Sequence, residues 1–318
     1  MEATQPKLEP VGHNNFESAS LDQWQKAFYV LYGNVDQKLP LYDIMLQMVA
    51  DSARIAEAMR RGSYHAALNE IPKIFSWLCS MTSKVARNQE QYDDIGGKKS
   101  LADLIWNKYP GVCAFCAEPK CHCPALHVDA MTQQEREKHL EKVKDKLNAA
   151  RQNPRPTKLN DWVQMFEDVY GTVNASRSSA QKTFHFLEEI GEVEVELRKA
   201  DRQKAGLNVL GNKKLKLEYR GEVPYAKIEW EDEVADVFSW LTAVYLHLKG
   251  GLDDTIKLIA AFAEDGQADV ASAPLKPIYS FANWVWRAFE NKEGDKIGLR
   301  CHRCHKTECD CTMLPKRR

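Results

Sequence analysis

The sequence predicts an all-α protein built as two tandem helical bundles, each closed by a small cysteine knuckle. Three observations predict it. Apolar residues recur at three- and four-residue steps in both halves, as one face of a helix requires. The spacing C-x2-C-x4-C-x-C occurs twice, at Cys113, Cys116, Cys121 and Cys123 and again at Cys301, Cys304, Cys309 and Cys311. Other words of the first half also return in the second at fixed distances, the mark of an internal repeat.

Residues 1–127 make the first copy. Trp24 and "LYGNV" at 31–35 answer to Trp162 and "VYGTV" at 169–173, both at one constant offset. Leu46, Val49, Ala53, Ala56 and Met59 supply the stripe expected to pack a second helix. "FSWL" at 75–78 marks a third, followed by Cys79 as a buried core thiol, and the knuckle at 113–123 ends the copy. Residues 128–158 read as a charged linker helix. It opens on a Thr132/Glu135 capping box, carries a narrow stripe of Leu140, Val143 and Leu147 with solvated charges around it, and stops at Pro154 and Pro156. Residues 159–318 are the second copy, with Leu187, Ile190, Val193 and Leu197 on one helix face. Its "FSWL", at 238–241, stands at a larger offset from the first than Trp162 does from Trp24, so the second copy carries an insertion ahead of it. The insertion falls within about 199–229, rich in Lys, Gly and turn formers and alternating at Leu215, Leu217 and Tyr219. It reads as a loop with room for a short hairpin.

Composition narrows the class. No apolar run approaches the ~20 residues of a membrane helix. With 44 basic and 45 acidic residues the net charge is -1, which argues against a dedicated nucleic-acid binder. The opening residues lack a basic start and an apolar h-region, so a cytoplasmic protein is expected. Nine cysteines in a reducing compartment are better read as metal ligands than as disulfides. Four thiolates in so short a span can surround a tetrahedral Zn²⁺, so two structural zinc sites are expected, with reduced or redox-active thiols as the competing reading. His122, His302 and His305 lie inside or next to the clusters as substitutes. As docking points the knuckles would have the aromatic "KPIYSFANWVWRAF" and the basic tail "MLPKRR" nearby.

Carboxylates carry the other chemistry. Glu189 and Glu192 are three apart, as are Glu233 and Asp236, so each pair projects from one face of its helix. If those two helices pack antiparallel, four acids converge in one groove. Like charges there repel and must take up protons or a cation, and hard oxygen ligands in that number suit Mg²⁺ or Mn²⁺. Glu194, Glu196, Glu231 and Asp232 read as solvated helix surface.

E-x-x-E on one helix and E-x-x-D on the next, written "EEIGE" and "EVADVFSWL", resembles the MazG-like family of all-α nucleoside triphosphate pyrophosphohydrolases. The likeness covers about 160–265, with a weaker copy at 22–90. It implies cleavage of (d)NTP to (d)NMP and pyrophosphate, with Glu189, Glu192, Glu233 and Asp236 as magnesium ligands. Glu188 would be a further ligand or a water-orienting base. Asp253, Asp254 and Lys257 in "GGLDDTIKLI" stand where the family carries an Asp and a Lys, so Asp254 and Lys257 are candidates for substrate contact. Trp162, Phe166 and His185 are aromatic candidates for the base, against the commoner role of core. The insertion departs from the family and would have to loop out, where Lys213, Lys214, Lys216 or Arg220 could reach phosphate.

In the first copy Glu188, Glu189, Glu192, Glu233 and Asp236 become Ala50, Asp51, Arg54, Glu70 and Lys73. Cations in place of two acids would neutralise Asp51 and Glu70 internally and leave a metal no purpose. The first copy therefore reads as a structural half. Since two subunits combine in the resembling family, the duplication implies a pseudo-dimer within one chain, with further self-association open. The competing class is a non-catalytic zinc-binding scaffold that keeps the bundle for packing. A di-iron bundle would need Glu-x-x-His pairs, and no histidine here has Glu three residues before it.

Overall fold

A computed structural model describes residues 10–87, 99–123, 131–204, 229–264, 280–290 and 298–311, the side chains of 133, 201–204, 253 and 255–264 excepted. The described residues form helices and no strands. In the first half these are α1 (Leu21–Asp36), α2 (Leu41–Arg60), the short α3 (Tyr64–Leu68), α4 (Ile71–Arg87) and α5 (Leu101–Lys108). The linker helix α6 (Gln133–Arg151) follows, and the second half contributes α7 (Leu159–Ala175), α8 (Ser179–Lys204), α9 (Trp230–Glu264) and α10 (Phe281–Phe289). No helix among them is long and apolar enough to cross a membrane.

Local chemistry fixes several of the starts. Ser20, Ser100 and Thr132 each accept from the amide three residues on, while Gln23, Asp103 and Glu135 bond back to the cap, so two orphan donors are met at each end. Ser280 caps Asn283 in the same way. The Thr132/Glu135 box is the one expected from the sequence.

The halves share one apolar core. Trp24, Phe28, Phe75, Trp162, Phe186, Trp230, Phe238 and Phe281 are all fully buried within it. Each such side chain stabilises the fold by roughly 2–3 kcal/mol through lost contact with water. Contacts recur in pairs at the spacings of the sequence repeat. Phe28 packs on Phe75 and Phe166 on Phe238, with ring centroids 5.8 and 5.9 Å apart. Phe75 and Phe238, which occupy the same place in the repeat, touch each other at 6.2 Å. At the chain entries, Leu21 N donates to Thr157 O at 3.0 Å and Leu159 N to Ala19 O at 3.3 Å, making a two-way antiparallel bridge between Ser20 and its counterpart Lys158.

Pairing at a third, still larger spacing aligns "SLADLIWNKY" at 100–109 with "SFANWVWRAF" at 280–289, that is, α5 with α10. These two helices cross over. Helix α5 packs on α9 of the second half, and α10 packs on α4 of the first. The rings that end them insert alike: Tyr109 meets Phe166 and Tyr170, and Phe289 meets Phe28 and Tyr32, all edge-on. The knuckles beyond them cross too, since Cys121 N donates to Val169 O and Cys309 N to Leu31 O, both at 2.8 Å.

Three expectations need correction. In α2 the stripe of Leu46, Val49, Ala53, Ala56 and Met59 is not the packed one: Leu46 is 61% and Val49 41% exposed, while Ile44, Met48, Asp51, Ser52 and Ile55 face the core. Polar Asp51 and Ser52 disguise the buried face. Glu196 is buried rather than solvated, pairing with Lys199 and accepting the Glu229 amide at 2.8 Å where α9 begins. The linker helix does more than span: Val143 and Leu147 pack on Ala117 of the first knuckle, while Leu140 stays 41% exposed. His139 stacks on Phe115 at 4.6 Å. The insertion lies outside the described residues at 205–228, and its first residues simply continue α8 to Lys204.

Candidate metal centres and the cleft beside them

Helices α8 and α9 pack along each other and bring the second half's acids together. Glu189, Glu192 and Glu233 each offer a carboxylate oxygen within 4.8 Å of the other two. Oε2 of Glu189 is buried and has no hydrogen-bond partner. Burial, with the charges of Asp236 and Glu192, pushes the Glu189 carboxyl up to about 8 against the pull of Lys108. Glu233 is likewise raised to about 8, chiefly by burial, and shares a hydrogen bond with Glu192. Three crowded carboxylates with an orphaned oxygen would be relieved by a divalent cation, and the donor set suits Mg²⁺ or Mn²⁺.

Asp236 lies beside the three and bears on the charge of Glu189, but its oxygens are already engaged. Its Oδ2 accepts from Lys108 Nζ at 2.5 Å and its Oδ1 from the Tyr109 hydroxyl, both groups reaching across from the first half at the end of α5. Lys108 also donates to Asp232 O at 3.3 Å. Burial would lower the Lys108 pKa, but Asp236, Asp232 and Glu233 together raise it, so the ammonium is held charged. Nothing in the paired-acid reading pointed to Lys108 or Tyr109. The repeat between 100–109 and 280–289 sets them against Ala288 and Phe289, which marks a difference between the halves but does not point to Asp236.

Other predicted residues lie elsewhere. Glu188 is exposed and paired with His185 Nδ1 at 3.2 Å, and the His185 ring stacks on Trp240 at 4.6 Å. Trp162 is fully buried against Trp106 and belongs to the core, as does Phe166. Asp254 is exposed on α9, while the side chains of Asp253 and Lys257, and all of Lys213, Lys214, Lys216 and Arg220, lie outside the described residues.

In the first half the corresponding positions form ion pairs. Arg54 binds Asp51 and, through Nε at 3.0 Å, Glu70, and Lys73 binds Glu70 at 2.7 Å. Trp77 Nε1 donates to Asp51 Oδ2 at 2.8 Å. The internal neutralisation expected from the sequence is present.

Each knuckle gathers four sulfurs within 4.8 Å of one another. Cys113 Sγ lies 3.6 Å from both Cys121 and Cys123, and in the second knuckle Cys301 Sγ lies 3.4 Å from Cys309 and 3.8 Å from Cys311, with Cys304 4.0 Å from Cys309. A tetrahedron of thiolates about zinc has edges of about 3.8 Å, whereas a disulfide would need about 2.05 Å. The clusters therefore could hold zinc. Both use the same turn, with Ala117 and His305 at φ of 56° and 58° and the amides of Cys113 and Cys301 bonded to the carbonyls of Glu118 and Lys306.

A cleft of about 280 Å³ opens between the first knuckle and helices α7 and α9. Phe115, Tyr170 and Trp240 give it aromatic walls, and Asn174, Arg177 and Ser239 give it polar ones. Tyr109 belongs both to its lining and to Asp236, and Ser239 and Trp240 sit one turn beyond Asp236, so cleft and acids adjoin. The Arg177 guanidinium lies 5.2 Å from the centre of the Trp240 ring.

Comparison of the chain with models of known families, with curated proteins and with solved structures gives no match.

Proposed function

We propose that the protein is a Mg²⁺-dependent nucleotide pyrophosphohydrolase, similar in kind to the MazG-like enzymes, cleaving (d)NTP to (d)NMP and pyrophosphate in its second half. The observation that carries this reading is the adjacency of two things: three glutamates around an unsatisfied buried oxygen, and a cleft with aromatic, amide and guanidinium walls. Glu189, Glu192 and Glu233 would hold the cation, which when bound supplies charge neutralisation at the phosphates and a more acidic water. The chain's own residues do the rest. The cleft receives the nucleoside between the aromatic walls of Phe115, Tyr170 and Trp240, with Asn174 and Ser239 for hydrogen bonds. Arg177, at the same wall, is placed to meet phosphate oxygens. Glu188, turned to His185, is left out of the reacting groups.

The test is direct. A panel of (d)NTPs is incubated with the zinc-loaded protein and Mg²⁺, and pyrophosphate is measured beside Glu189→Gln and Glu192→Gln. At least one nucleotide should give product, and each variant should reduce the rate by roughly a hundredfold or more. No product from any nucleotide with folded protein would leave the zinc-binding scaffold as the better reading.

A further inference from the structure

We propose that Lys108 is a resident cation of the acid site, and that the site consequently takes one divalent ion, through Glu189, Glu192 and Glu233, with Asp236 withheld from it. The inference rests on the reading of those acids as a divalent-cation site and departs from the four-ligand set that the sequence resemblance implies.

The first support is the unequal satisfaction of the acids. Both oxygens of Asp236 are engaged by protein donors, Lys108 Nζ and the Tyr109 hydroxyl. Glu189 keeps a buried oxygen with no donor at all. A carboxylate that already has an ammonium and a phenol is a poor ligand, and one with an orphaned oxygen is a good one. Consistently, the three glutamates converge within 4.8 Å and Asp236 is not among them.

The second support comes from the other half, which serves as an internal control. Where α9 has Asp236, α4 has Lys73, and where α5 ends in Lys108 and Tyr109, α10 ends in Ala288 and Phe289. The helix that meets the acid ends in a cation and a hydroxyl donor, whereas the helix that packs on α4, whose Lys73 is already paired with Glu70, ends in neutral groups. The lysine moves between partners while one ammonium per site is kept. An ammonium within reach of Asp236, Asp232 and Glu233 occupies electrostatically the place a second divalent ion would take.

Mn²⁺ binding to the full-length, zinc-loaded protein tests this without reference to turnover. Free Mn²⁺ is followed by its paramagnetic resonance signal during titration, and only binding lost in Glu189→Gln is counted. Wild type should bind one Mn²⁺ per chain. Lys108→Met, of similar volume, should bind two, or bind one at least about tenfold more tightly because a neighbouring positive charge is gone. Asp236→Asn should still bind one Mn²⁺, weakened by no more than about tenfold, because it leaves Lys108 uncompensated beside the site without removing a ligand. This variant keeps the test decisive if Lys108→Met does not fold. Two Mn²⁺ in wild type, unchanged binding in Lys108→Met, or loss of Mn²⁺ in Asp236→Asn would each overturn the inference while leaving a cation site in place. No Mn²⁺ in folded wild type would overturn the cation reading itself, and the inference with it.

Discussion

Glu189 concentrates the cost of the site in one side chain. Its carboxyl titrates near 8 instead of the ordinary 4.5, because burial and neighbouring acids disfavour the anion. A group raised in the folded state binds its proton there more tightly than in the unfolded chain, so the proton-bound form stabilises folding below about 4.5. That advantage is lost as pH climbs towards 8. Glu233 acts in the same direction, screened by its greater exposure. Without added Mg²⁺, and with zinc retained, the melting temperature should therefore fall between about pH 5 and pH 8. Glu189→Gln should flatten that fall and be the more stable protein at pH 8, by roughly 1–2 kcal/mol after allowance for solvent. Thermal melts across pH check this; a variant as steep as wild type would show that the buried oxygen is not the source. Saturating Mg²⁺ should flatten the wild-type curve in the same way.

At the scale of elements, the knuckles look alike and sit against unlike surroundings. The first lines the cleft beside the acids, whereas His302 of the second bonds Tyr32 at 3.2 Å and lies near the ion-paired Arg54, Glu70 and Lys73. Cys116→Ser and Cys304→Ser should each lose one zinc and a similar amount of thermal stability. Only Cys116→Ser should also lower kcat/KM for the nucleotide, by roughly a hundredfold, as misplacement of a cleft wall does. Equal losses in the two variants would mean that the knuckles only staple. Much of this was readable in the sequence: the cysteine spacings, the Thr132/Glu135 cap, and the face of α8 through Ile190, Val193 and Leu197, because each is a local pattern with a local cause. The face of α2 was not, since Asp51 and Ser52 are buried for tertiary reasons, Asp51 as the acceptor for Trp77 and the partner of Arg54. Nor was the role of Lys108, because spacing on one helix says nothing about a group arriving from another half of the chain. Trp162 fills the core, the commoner of the two roles its helical spacing offered.

At the scale of the molecule, neither half is complete alone. Each gives its last described helix and its knuckle to the other, and the acids of the second half are finished by the first. Cutting the chain between residues 130 and 131 should yield two pieces that melt without cooperativity when made separately and that copurify, helical and zinc-loaded, when made together. A cooperative melt from residues 131–318 alone, followed by circular dichroism, would refute this. The exchange also sets a timetable for synthesis. Val169, whose carbonyl receives the Cys121 amide, leaves the ribosome well after Cys121 does, with the whole of α6 made in between. At the ~5–20 residues per second of a ribosome, that interval is a delay of about 2 to 10 s. For those seconds a nascent chain displays Tyr109 and its neighbours with nowhere to put them, a window in which a holding chaperone or a second ribosome's product could claim the seat before the chain's own continuation arrives.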